Sequence, residues 1–175
     1  LTPDFFALDE NGQPLGMPFR VNESQQVFDE ETGDYLIIMN QRVEWISPDR
    51  FVVTWVESLG VSKKIFFRVY QSDFQPVTSA IQAHYHEAAR VTTWPDIVYD
   101  ELTDTLSILW VGYDSASGLE DIYYANYTKN GVLKNATARI EFSQLDHNFS
   151  YLSAELMGSG VVGLVTSFEG YDKDG

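Results

Sequence analysis

The chain of 175 residues contains no cysteine, which excludes disulfides and thiolate metal sites outright. That absence leaves the compartment open, because many large secreted proteins fold without disulfides. Basic residues are scarce: 11 Lys and Arg stand against 26 Asp and Glu, giving a formal net charge of -15. A surface of that sign repels phosphate backbones and anionic bilayers, so nucleic acid is not an expected partner. Long apolar runs are missing too. The longest, such as Tyr35 to Met39 and Phe51 to Val53, fall far short of a membrane span, and no membrane insertion is expected.

Catalytic signatures are equally thin. No G-x-S-x-G elbow and no phosphate-cradling glycine loop occurs. Of three histidines, His84 and His86 would share one face of a strand near Glu87, but no third ligand is marked, and surface or packing roles account for them. Carboxylates are plentiful at Asp29-Glu30-Glu31, Asp100-Glu101 and Glu120-Asp121, yet sequence spacing cannot bring a glycosidase pair together. The chain is therefore read as not an enzyme, with no cofactor. Calcium alone stays open: Asp172-Lys173-Asp174-Gly175 has the alternating carboxylates and glycine that begin a calcium loop, making Asp172 and Asp174 the candidate metal ligands.

What the chain does have is aromatic and β-branched residues in a recurring order. The 11 Phe, 10 Tyr and 4 Trp favour pleated, half-buried surfaces. One phrase begins at Phe5, returns at Phe67 and returns again at Tyr124, each time running from an aromatic strand towards a turn. A second, Phe51-Val52-Val53-Thr54-Trp55, matches Leu106-Ser107-Ile108-Leu109-Trp110. Its third copy is placed at Leu164 to Phe168, or in another register with Val161 matched to Phe51. A third strand falls around Val43 to Ile46, Asp96 to Tyr99 and Leu152 to Leu156. Turn chemistry separates them at Glu10-Asn11-Gly12, Ser47-Pro48-Asp49, Lys129-Asn130-Gly131 and Gly158-Ser159-Gly160. The best helical candidate, Ser79 to Arg90, carries the strand-like alternation His84-Tyr85-His86.

The expected fold is thus all-β, built as about three four-stranded antiparallel units of 55–60 residues and shaped like β-propeller blades. A β-sandwich or a β-solenoid is the alternative. The whole of 1–175 is read as one repeat-built domain with approximate units 5–64, 65–121 and 122–175. The opening at Leu1 makes us expect a piece of a longer chain.

Four of the seven asparagines sit in N-x-S/T sequons, at Asn22, Asn126, Asn135 and Asn148, where chance would supply about one. This points to a secreted or cell-surface glycoprotein carrying N-linked glycans. Trp55 and Trp110 hold one position of the repeat and are expected in the core. Trp45 and Trp94 stand outside it, and beside Tyr99 or Tyr113 they could stack against sugar.

Phe51-Val52-Val53-Thr54-Trp55, Ile122 to Tyr127 with Gly131, and Pro18-Phe19-Arg20-Val21-Asn22 resemble the blade-type tandem repeats of very large secreted and adhesin-type proteins. The second unit departs from that pattern at Phe74, where the turn glycine is lost, and the third loses the tryptophan. The resemblance implies fold and location, and for function only adhesion or surface structure. The expected role is an extracellular, glycosylated structural module of a surface fibre, filament or matrix-like assembly, with neighbouring repeats or identical subunits as partners. The alternatives are a carbohydrate- or protein-binding adhesin domain and a secreted hydrolase on a propeller scaffold.

Overall fold

The computed structural model describes the chain apart from residues 1–3, 6–7, 9, 15–16, 22–27, 32, 61, 84–88, 92–94, 115–118, 141–147, 159 and 170–175. The fold is all-β, and no helix occurs among the described residues. The chain opens with two short hairpins, β1 (Asp4–Phe5) with β2 (Phe19–Arg20), and β3 (Phe28–Asp29) with β4 (Asp34–Tyr35). Then come β5 (Ile37–Ser47), β6 (Arg50–Leu59), β7 (Ser62–Gln71) and β8 (Ile81–Gln82), which form the first sheet in that order. Strands β9 (Ala89–Val91), β10 (Asp96–Asp100), β11 (Thr105–Asp114), β12 (Leu119–Tyr127) and β13 (Leu133–Ile140) form the second. Its order is β10-β11-β12-β13, with β9 continuing the β10 edge along β11. Strands β14 (Asn148–Gly158) and β15 (Val161–Glu169) pair as the third. All pairings are antiparallel.

The first two sheets are built alike, residue for residue. Phe51 lies opposite Tyr70 as Leu106 lies opposite Tyr127, and Trp55 opposite Phe66 as Trp110 opposite Tyr123. Both indoles are buried and stacked on their partners, at 5.9 Å and 15° for Trp55–Phe66 and 6.2 Å and 17° for Trp110–Tyr123. The repeated tryptophan is therefore core packing; truncating either to alanine removes roughly 3–5 kcal/mol of burial and contact.

Strands in the interior of the stack are apolar on both faces because sheets cover both sides. In β6, Phe51, Val53 and Trp55 face outward onto Phe19 and Val21, while Val52 and Val56 face the second sheet. In β11, Leu106, Ile108 and Trp110 face back to the first sheet, while Leu109 and Val111 face Leu152 and Ala154 of β14. The three sheets thus lie face to face, with one apolar layer between each pair. Alternation of side chains along each strand makes this possible.

The expected sheets of four antiparallel strands are found as the first sheet and as the β10–β13 path of the second, while the third sheet has two described strands. The repeat boundaries and the sheets are also out of phase. Each full sheet takes its first two strands from one sequence unit and its last two from the next. The third copy of the Trp phrase also sits differently from either expected register. Leu156 faces Val162 just beyond a two-residue turn and a bulge, as Trp45 faces Phe51 in the first hairpin. Val162, not Leu164 or Val161, therefore corresponds to Phe51. The Leu164 register misses by two residues, which keeps the face and so leaves the hydrophobic pattern unchanged.

Candidate functional site: the open end of the sheet stack

The N-terminal hairpin repeats the last two strands of a full sheet. Asp4 pairs with Arg20 and Phe5 with Phe19; 62 residues on, Phe66 pairs with Gln82 and Phe67 with Ile81. The same spacing separates the bridges Leu8–Pro14 and Tyr70–Pro76. A further 57 residues along, Tyr123 pairs with Arg139 and Tyr124 with Ala138. The turn residue of each hairpin has positive φ: Gly12 at 78°, Phe74 at 69° and Gly131 at 76°. The first and third take the glycine that this left-handed conformation favours, and the second holds a phenylalanine there.

This hairpin lies against the first sheet. The Tyr70 hydroxyl donates to the Val21 carbonyl at 3.1 Å, and the Phe19 ring sits 5.3 Å from that of Tyr70 and 5.7 Å from that of Phe74. At the opposite end of the stack, β15 has one described neighbour, β14. Its outer face leaves Val161 and Val165 exposed, beside Met157 of β14.

Between the second sheet and the third hairpin lies a cleft of about 450 Å³. Tyr124, Asn126 and Ile140 line one wall and Leu156, Val162 and Leu164 the other. The corresponding space between the first two sheets is filled by β7 and β8: Phe67 lies 4.6 Å from Tyr127, ring to ring, and Ile81 packs into the same layer. The cleft is therefore the volume that a third and fourth strand would occupy.

Two aspartates of β10 tie the third hairpin to the second sheet. The Ala154 N–H donates to Asp96 at 2.8 Å. Asp100 is buried at 6% exposure and accepts from the Leu102 N–H at 3.0 Å, the Thr103 hydroxyl at 2.8 Å and the Gly160 N–H at 3.2 Å. The Thr103 hydroxyl, helped by these N–H groups, outweighs burial and holds the Asp100 carboxyl below the usual carboxylate range. Glu44 behaves in the opposite sense. Partial burial, then Glu155 and Asp96 nearby, push its carboxyl up. These carboxylates share a polar depression with Arg42. Among the described residues no group of three or more His, Asp or Glu could hold a metal ion.

The chain matches no protein-family model, no curated protein and no solved structure. The site must be read from its own geometry.

The sequence candidates fall in several places. Asp172 and Asp174, the calcium candidates, lie outside the described residues, as do Asn22, His84, His86, Glu87, His147 and Trp94. Asn126 is half-buried in the cleft wall, where its side-chain oxygen accepts from the Ser107 hydroxyl at 2.9 Å. Asn135, directly across from it on β13, is exposed. Asn148 starts β14. Trp45 is 58% exposed and shares a shallow groove with Tyr99, Glu101 and Leu156. Trp45, Tyr99 and Leu156 are corresponding positions of the first strands of the three sheets, opposite Phe51, Leu106 and Val162. Burial and a hydrogen bond to Asp104 push the Tyr99 hydroxyl up to about 12.

Sequence reasoning missed that the N-terminal hairpin repeats the last two strands of a full sheet. The signal was present in the matched phrases at Phe5, Phe67 and Tyr124, but it took the pairing register to show that the first of these is a half-sheet.

Proposed function

We propose that this protein is a non-enzymatic, extracellular repeat module of a surface fibre, filament or matrix-like assembly. Its sheets act as blade-type units that stack on their neighbours. The observation carrying this reading is the stack itself: corresponding strands meet across each layer, and the outermost hairpin still presents Val161, Val165 and Met157 to solvent. Apolar surface in that position is what a module designed for a neighbour leaves open. The four sequons support a secreted, N-glycosylated setting, with Asn135 the best exposed of the two whose side chains are described. The likeness of its phrases to blade-type repeats of secreted proteins agrees with the same setting.

Electron microscopy of native material, with intact mass of the same sample, tests the reading. Regular arrays with excess glycan mass are the expected result. Discrete single-chain particles carrying no glycan would overturn it.

A second reading, carbohydrate recognition, is favoured by one observation: the exposed Trp45 indole beside Tyr99 in a groove bordered by Glu101 and Ser47. Flat rings next to hydrogen-bonding groups suit the apolar face and hydroxyls of a sugar. Quenching or shift of tryptophan fluorescence by neutral oligosaccharides, abolished in Trp45→Ala, is the result that would support it. A glycan array on which the unmodified protein and Trp45→Ala are both blank would remove it.

A further inference from the structure

The β3–β4 hairpin is a part of this fold that stacking does not use. It lies on the connection from β2 to the first sheet, and among the described residues its strands pair only with each other. The corresponding connection from the second sheet to the third, residues 141–147, is made in a shorter length of chain. An addition to such a connection is a frequent place for a binding surface in repeat-built folds.

One face of the hairpin is apolar and open. Phe28 lies directly opposite Tyr35, with ring centroids 4.7 Å apart and planes at 43°. The two are 46% and 56% exposed, and Ile37, two residues on from Tyr35, is 53% exposed. Asp34 seats the hairpin on the first sheet: its carboxylate lies over Gly60 of the β6–β7 turn, in the space a Cβ there would take. The charge around the rings is of one sign. No Lys or Arg occurs between Arg20 and Arg42, while Asp29, Glu30, Glu31 and Asp34 all fall between Phe28 and Tyr35. Glu30 and Glu31 are exposed at the turn.

We propose that the β3–β4 hairpin docks a basic partner protein, through an extended segment in which Lys or Arg alternates with apolar residues. The negative faces of the Phe28 and Tyr35 rings and the carboxylates of Glu30 and Glu31 attract the same sign of charge. The apolar residues of the segment cover Ile37 and the ring edges, which no part of this chain covers. Other occupants fit less well. Two rings tilted at 43° offer no single flat platform to a sugar. A second copy of this chain, at a net charge of -15, brings like charge to an acidic hairpin, and nucleic acid does the same. The partner is therefore a different protein, and the inference stands apart from the structural-module reading because it needs no contact between copies.

The test uses the full chain and a fluorescein-labelled peptide alternating Lys and Leu, followed by fluorescence anisotropy. Binding should saturate, weaken as salt rises, and disappear when the lysines are acetylated. Phe28→Ser with Tyr35→Ser, and separately Glu30→Lys with Glu31→Lys, should each weaken it at least about tenfold. All four side chains are exposed, so far-UV circular dichroism should be unchanged. Tyr35→Phe keeps the ring and should bind as the unmodified chain does. Glu10→Lys with Glu155→Lys makes the same change of net charge at two other exposed carboxylates and should cost less than about twofold. Equal loss in the two charge-reversed variants overturns the proposal, as does an acetylated peptide that binds as tightly as the basic one. Undiminished binding by Phe28→Ser with Tyr35→Ser overturns it too. So does displacement of the peptide by neutral oligosaccharides, or no binding up to about 1 mM peptide.

Discussion

Position 74 offers a measurement of what the repeat turn demands. Phe74 adopts φ of 69°, in the left-handed region, where Gly12 and Gly131 stand in the other two copies. For a residue with a Cβ that conformation costs about 1–2 kcal/mol. The phenylalanine persists because its half-buried ring packs on Phe19 at 5.7 Å and Phe51 at 5.9 Å. Phe74→Ala keeps the strain and loses the ring, a cost of about 2 kcal/mol for the apolar area and the two ring contacts. Phe74→Gly loses the same ring but releases the strain, against about 0.4–1 kcal/mol of added chain entropy in the unfolded state. The glycine variant should therefore be the more stable of the two by about 1 kcal/mol, with both below the unmodified protein. That difference is a shift of about 2–4 °C in Tm for a chain of this length. Urea unfolding followed by tryptophan fluorescence reads it directly. An alanine variant as stable as the glycine variant would refute the argument that backbone sterics govern this turn. Gly131→Ala is the mirror experiment, and there the loss should be larger. The added Cβ would meet both the unfavourable φ of 76° and the Ile81 Cδ1 at 2.5 Å.

Other substitutions test separate parts of the stack. The Thr54 hydroxyl is fully buried with no hydrogen-bond partner described, at a position held by Leu109 and Val165 in the other copies. Thr54→Val should accordingly raise stability by about 1 kcal/mol in urea titrations. Asp100, held below the usual range by Thr103 and neighbouring N–H groups, contributes stability above its unfolded value, and that contribution disappears as pH falls through its folded value. Asp100→Asn should thus lower Tm at neutral pH and flatten the acid limb of a Tm–pH profile; an unchanged acid limb would contradict this. Glu44 has the reverse sign: its raised carboxyl binds a proton more readily in the folded state, so stability falls as pH rises towards its folded value. Glu44→Gln should raise Tm at pH 7, with the gain vanishing near about pH 3, where both states are protonated.

Much of the fold was legible in the chain because the physics behind it is local. Alternation in Phe51 to Trp55 and Leu106 to Trp110, with glycine and proline turns between, specifies strands and hairpins. The spacing of the matched phrases specifies that these hairpins recur. The burial of Trp55 and Trp110 followed from their recurrence. The third copy, expected at Leu164 or with Val161 matched to Phe51, lies at Val162; the shift of two from Leu164 preserves every face, so no hydrophobic pattern could detect it.

The stack was not legible. Which strands share a sheet depends on hydrogen bonds between segments far apart in sequence, and those bonds cut across the repeat, joining two strands of one unit to two of the next. For the same reason only the tertiary structure could show that Asn126 faces a cleft while Asn135 lies exposed, or that Trp45 and Tyr99 meet in one groove. Composition and periodicity determined that this protein is β, acidic and repetitive. The pairing of distant backbone groups decided which strands share each sheet, and so which side chains meet in the layers between the sheets.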